Sequence, residues 1–194
     1  MRVLSINNQN MNPKYGANVK MVKTTPNELL PQVQNINVIK CKAQNLDLQD
    51  AFFDSLKSEY PEFQNWWKKI ANRDVYVNMN NEGKINALLI LKIEANERID
   101  CNPALNFNRV LKICTIKVAD QVRGLNIGKI FLQLAFDFAE HNNIEDIYFT
   151  HFCKEKDSFV DFVHNFGFNK YGTNSRGESV FVKKLTKDNY ENLK

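Results

Sequence analysis

Apolar and polar positions follow two periods along this chain, and each change of period marks an element. Ile36-Asn-Val-Ile-Lys-Cys-Lys42 alternates and predicts a strand. Leu46, Leu48, Ala51, Phe52, Leu56 and Tyr60 recur near helical spacing and predict a helix over 46–60. Pro61 then opens a second short helix over 62–71, holding Phe63, Trp66, Trp67 and Ile70. Strands at 75–79 and 84–94 are joined by Asn80-Asn-Glu-Gly83, a hairpin turn whose Asn and Gly tolerate positive φ. After a loop over 95–109, an apolar run predicts a strand over 110–118. A glycine-bearing turn leads into an amphipathic helix from Lys129 to about Asn142, and a further strand covers 144–152. A helix over 154–166 places Phe159, Phe162, Val163 and Phe166 on one side, and Gly167 ends it as a C-terminal cap. A last hairpin pairs 168–172 with 179–185. Turns or loops join the second, third and fourth strands, which makes them antiparallel; a helix joins the fourth and fifth, which makes them parallel with a right-handed crossover. The fold class expected is α/β (α+β), with a mixed, mostly antiparallel central sheet and helices on both faces.

Residues 1–34 show no such period and are rich in Asn, with Pro13, Pro26 and Pro31. They read as an extended N-terminal arm with one strand expected at Asn18–Thr24, ahead of a domain over 35–186 and a tail over 187–194. Hydrophobic residues make up 43% and charged residues 25%, the composition of an ordinary globular protein. No apolar run nears the ~18 residues that span a bilayer, and the opening apolar stretch is too short for a secretory leader. Cys41, Cys101, Cys114 and Cys153 form no Cys-x-x-Cys pair and no cluster with His, so no metal site is expected. Free thiols fit a reducing, cytoplasmic location. The net charge of +4 is uneven: residues 1–42 carry six basic groups against Glu28 alone. Such an arm suits an anionic partner such as RNA, or is a solvated segment kept soluble by its lysines.

The chemistry concentrates in Gln121-Val-Arg-Gly-Leu-Asn-Ile-Gly-Lys129, between the strand at 110–118 and the helix that follows. A strand, a turn of small residues and a helix start make an anion site. The first helical turn has unpaired N–H groups and the positive dipole end, and small residues let a phosphate approach the backbone.

This turn, with the order of elements around it, resembles the GNAT superfamily of acyl-CoA N-acyltransferases. Its signature, Gln/Arg-x-x-Gly-x-Gly/Ala, reads here Arg123-Gly124-Leu125-Asn126-Ile127-Gly128, and Phe166-Gly167-Phe168 resembles the later Leu-Gly-Phe of that family. The similarity spans about residues 36–185. It implies acetyl-CoA as co-substrate and no metal. Its pyrophosphate would lie on the backbone of Arg123, Gly124, Leu125, Asn126, Ile127, Gly128 and Lys129. Its pantetheine arm would pair with Ile116, Lys117 and Val118, where the fourth and fifth strands splay apart. A backbone amide of the fourth strand would then stabilise the oxyanion. The activity implied is transfer of acetyl to a primary amine by direct attack in a ternary complex. Two alternatives stand beside it: an acyl-CoA-binding or regulatory module without turnover, and a toxin-like acetyltransferase acting on aminoacyl-tRNA. The acceptor's identity is not written in the sequence; a homodimer is compatible with it.

The chain departs from that family's pattern at three places. Asn126 replaces the first motif glycine, and Asn is the next-best residue at positive φ. Val163 stands where many members carry the Tyr that protonates the leaving thiolate. Val110, Lys112 and Cys114 occupy the strand that would bear a glutamate base. Candidates for the proton transfers are His151 at the end of the fifth strand, to accept a proton from the ammonium; Glu94 at the end of the third, to act through a water; and Tyr171 near the last hairpin, to replace the missing acid. Tyr148 is a further candidate on the fifth strand. Cys114 lacks the activating neighbour that a nucleophilic thiol needs.

Overall fold

The computed structural model describes residues 36–185. The arm with its strand at Asn18–Thr24, and the tail, lie outside the described residues. Seven strands form the central sheet in the order β1-β2-β3-β6-β7-β9-β8. They are β1 (Ile39–Lys42), β2 (Asp74–Met79), β3 (Ile85–Ala95), β6 (Arg109–Val118), β7 (Asp146–His151), β8 (Asn169–Thr173) and β9 (Ser179–Lys184). The expected loop over 95–109 holds a small antiparallel ribbon, β4 (Arg98–Ile99) with β5 (Leu105–Asn106). Neighbouring strands of the sheet are antiparallel except β6 and β7.

Among the described residues four α-helices pack on this sheet: α1 (Asp54–Glu59), α2 (Phe63–Lys69), α3 (Ile127–His141) and α4 (Ser158–Asn165). The side chains of α1 and α2, chiefly Phe63 and Trp67, bury against Val75, Val77, Leu88 and Ile90 on one face. On the other face Phe136 of α3 stacks on Phe168, and Phe159 of α4 meets Phe149, which stacks on Phe181.

The long helix expected over 46–60 is replaced by a 3-10 turn at Ala51–Phe53 and the short α1, after another 3-10 turn at Ala43–Asn45. Two aspartates are the reason. Asp47 accepts the N–H of Gln49 at 2.8 Å and Asp50 that of Phe52 at 2.9 Å. Such local bonds hold the backbone in turns at the expense of a continuous helix. Among the described residues no helix is long and apolar enough to cross a membrane.

The feature that positions the site is a fork. Ladder pairs between β6 and β7 stop after Leu111–Ile147 and Lys112–Tyr148. On its other side β6 stays paired with β3 out to Val118, but the register shifts there: Ile90 faces Thr115 while Leu91 faces Ile113. Cys114 is therefore the extra residue of a bulge, which bends β6 locally. From Ile113 onward the β7-facing edge of β6 has no ladder partner, while β7 follows β9 to His151–Ser179.

Candidate active site

The turn after β6 takes the conformation its residues permit. Gly124 lies at φ 84° and Asn126 at φ 60°, left-handed backbone that Gly and Asn adopt most readily. Asn126 occupies the N-cap of α3 without a side-chain cap, so Ile127, Gly128 and Lys129 head the helix with N–H groups that have no partner within it. At Gly128 an added Cβ would stand 3.2 Å from the Phe162 ring of α4. The missing side chain is what brings α4 and this turn together.

Fork and turn open into one groove of about 1330 Å³. Of the residues that the sequence assigned to the cofactor, Ile116, Lys117, Val118, Arg123, Gly124, Asn126, Ile127, Gly128 and Lys129 line it. Leu125 does not; its side chain is exposed. Lys117 turns its ammonium to the Phe52 carbonyl and to Ser55 Oγ, which ties the turn before α1 to β6, and burial pushes its pKa down. Arg123 pairs with Asp120 at 2.7 Å on the surface.

The proton-transfer candidates are placed differently from one another. His151 lies in the groove at the end of β7, with Nε2 2.7 Å from Asp157 Oδ2 and its ring against Phe159. Asp157 is also the N-cap of α4, accepting from the N–H groups of Phe159 and Val160. Burial would raise the Asp157 pKa, but the bonds from His151 and from backbone amides outweigh it and hold the carboxyl below its ordinary range. Because successive strand residues alternate in face, His151 shares the α4 side with Phe149, opposite Tyr148 and Thr150.

Glu94 also lines the groove, buried and fully engaged: Lys92 holds Oε1 at 2.8 Å and the Tyr148 hydroxyl donates to Oε2 at 2.5 Å. Burial acts to raise its pKa, yet the bonds from Lys92 and Tyr148 and the charge of Lys112 prevail and lower it. A carboxylate held this way is a weaker base than a free one, which removes the reason for assigning it that role. Tyr148, buried beside it, has its pKa raised by desolvation and by the Glu94 bond. Tyr171 stands outside the groove, on edge strand β8, and its hydroxyl donates to the Ala104 carbonyl at 3.2 Å. Val163 is buried, while Phe159 and Phe162 form the α4 wall. At Cys114 burial pushes the thiol pKa up, which favours the un-ionised form.

Sequence reasoning missed the floor on the α1 side. Glu178, 1% exposed, accepts from Asn174 at 2.7 Å, from Arg176 at 2.5 Å and from the Tyr60 hydroxyl at 3.3 Å. Tyr60 has its pKa pushed up to about 12, first by burial and then by Glu178. Arg73 and Lys112 complete this floor. The readable signal was the pair Lys92 and Glu94 on β3. They continue the face that holds Leu88 and Ile90, so charge appears where an apolar row should continue.

No protein-family model matches this sequence, and no curated protein is significantly similar to it. Solved structures are similar in fold. An acetyltransferase of the GNAT family from Staphylococcus aureus Mu50 is 18% identical with a TM-score of 0.57, over 78% of this chain and 99% of that one. A GNAT family acetyltransferase from Elizabethkingia anophelis with acetyl-CoA bound is 14% identical with a TM-score of 0.55, over 78% and 99%. The PaiA N-acetyltransferase from Thermoplasma acidophilum in complex with coenzyme A is 12% identical with a TM-score of 0.52, over 77% and 100%. The chain has the GNAT acyl-CoA N-acyltransferase fold.

Proposed function

We propose that this protein is an acetyl-CoA-dependent N-acetyltransferase that acts on a primary amine by direct transfer in a ternary complex. One observation carries the reading: the unpaired edge of β6 and the uncapped start of α3 open into the same groove. These are the two things an acyl-CoA asks of a backbone, a strand edge for its amide-bearing arm and N–H groups for its phosphates. The residues fit the co-substrate on chemistry alone. Gly124, Asn126, Ile127, Gly128 and Lys129 would take the pyrophosphate, and Ile116, Lys117 and Val118 the pantetheine amides. Two structurally similar acetyltransferases hold CoA or acetyl-CoA.

Bound there, acetyl-CoA supplies a thioester open to attack by an amine. The chain's own part is mainly placement, since holding amine and thioester together accounts for much of such a rate. Backbone N–H groups of β6 near the Cys114 bulge, free of a β7 partner, are the donors for the oxyanion. His151, oriented by Asp157, is the residue proposed to move a proton. Its place on the α4 side suits the leaving sulfur better than the ammonium assigned to it from sequence. Glu94 anchors Lys92 and Tyr148 in the floor. The raised thiol pKa at Cys114 favours direct transfer over an acyl-enzyme.

The test is calorimetric titration with CoA followed by CoA release with a panel of amines. Saturable binding and amine-dependent release support the proposal. Binding without turnover points to the regulatory module, and no binding at millimolar CoA removes both.

A further inference from the structure

We infer that the acceptor amine carries an anionic group, a carboxylate or a phosphate, within a few bonds of its nitrogen, and that Lys112 and Arg73 bind that group. The inference rests on the N-acetyltransferase reading and names its substrate class.

The argument starts at the fork. Lys112 belongs to the last β6–β7 ladder pair, and Cys114, two residues on, is the bulge. Lys112, Arg73, Glu94 and Lys92 all act on the Cys114 thiol, and Lys92 is itself held by Glu94 at 2.8 Å and by Glu97 at 3.1 Å. Glu94 is already committed, since it is held by Lys92 and by the Tyr148 hydroxyl. The other buried carboxylate of the groove, Glu178, is committed to Arg176, Asn174 and Tyr60. Lys112 and Arg73 have no carboxylate partner among the described residues. The Lys112 ammonium lies 5.3 Å from the centroid of the Tyr148 ring, and one guanidinium nitrogen of Arg73 donates to Cys114 Sγ at 3.7 Å. A thiol is a weak acceptor, and the remaining guanidinium donors are left for something else.

Both side chains are half-buried, and with Glu94 acting on Lys112 only through space, two positive charges so placed carry a residual cost. An entering anion lifts that cost. Guanidinium offers a planar fork matched to carboxylate or phosphate, and ammonium adds a point charge beside it. The position sets the distance. Arg73 reaches the bulge at Cys114, and Lys112 lies two residues before it on the same strand. The proposed oxyanion donors lie at that bulge, so an acceptor bound there has its nitrogen and its anion close together. An amino acid or a phosphorylated small amine meets that requirement. A polyamine brings positive charge to two cations, beside carboxylates, Glu94 and Glu178, that are already committed.

The experiment measures CoA release for glycine and glutamate, their amides, phosphoethanolamine, ethanolamine and spermidine. The acids or phosphoethanolamine should exceed their neutral counterparts and spermidine in kcat/KM by about tenfold or more. Lys112→Gln and Arg73→Gln should each reduce that preference about tenfold, chiefly through KM. The rise in Tm on adding CoA reports folding and an intact fork in each variant. A wild-type protein that uses the amides or spermidine as well as the acids overturns the inference, as does a preference unmoved in both variants. CoA binding with no turnover of any anionic amine also overturns it, and leaves the CoA site standing. Failure to bind CoA overturns the N-acetyltransferase reading itself.

Discussion

Gly128 is the position where the proposed phosphate site can be tested with least ambiguity, because sterics and charge can be separated there. A Cβ at 128 would meet Phe162 Cζ at 3.2 Å and Cε1 at 3.5 Å, so the ring must give by a few tenths of an ångström. Against this stands the gain from replacing a helical glycine, up to ~1 kcal/mol. Gly128→Gln should therefore fold with stability within about 1 kcal/mol of wild type. Gly128→Glu has nearly the same shape and adds one negative charge beside the proposed pyrophosphate. Two unit charges ~4 Å apart at an effective dielectric of ~20 repel by ~4 kcal/mol. The site is partly open to water, so about half of that is the working figure, roughly a thirtyfold loss of CoA affinity relative to the Gln variant. Isothermal titration of both variants with CoA at low and at high salt reads this directly. The Glu-to-Gln ratio should shrink as salt rises. Equal affinities for the two variants at low salt, with both folded, would refute the placement of phosphate on the start of α3.

His151→Ala should lower kcat by about a hundredfold with little change in CoA affinity, measured by steady-state kinetics beside titration; a loss under threefold would dismiss it as a proton carrier. Gly167, at φ 80° and with the Lys183 ammonium 2.9 Å from an added Cβ, should tolerate Ala poorly, with a loss of about 1–2 kcal/mol by urea unfolding. Glu94, Asp157 and Glu178 all have folded-state pKa values below their ordinary ones. The unfolded chain therefore binds protons more tightly. These groups add stability above the ordinary carboxylate range of about pH 4, and that stability is lost as pH falls through the folded values. Tm measured from neutral pH downward should decline across that window, and Glu178→Gln, which leaves Arg176 without its anion, should lower the neutral-pH Tm and flatten the decline.

What could be read from sequence was what is decided locally. The turn at 123–128 was legible because Gly124 and Asn126 are the residue types that left-handed backbone selects, and both sit at positive φ. The parallel β6–β7 pair followed from a helix lying between two apolar runs. The helix over 46–60 failed because periodicity ignores what an aspartate does to nearby N–H groups, and Asp47 and Asp50 both bond the residue two ahead. Tyr171 failed for a global reason. Its nearness in sequence to the last hairpin says nothing of strand order, and β8 turns out to be the sheet edge. The floor was illegible for the same kind of reason: Tyr60 and Glu178 are hydrogen-bonded across 118 positions of chain.

The fork explains why so much of the proposed catalytic apparatus is backbone. A strand that parts from its neighbour leaves backbone N–H and C=O groups facing the gap, and these must find water or a ligand. β6 accepts that exposure on one edge while β3 holds the other edge through a bulge, so the strand cannot close the gap by sliding toward β7 without breaking its pairs with β3. Lys117 adds a second restraint by tying the strand to the Phe52 carbonyl before α1 and to Ser55 within it. The open edge is thus fixed by pairing on its far side, which is the preorganisation that a backbone donor requires to act on developing charge. In this chain, charge on the floor beside the fork differs from the apolar row it continues, so that is where substrate choice should be written.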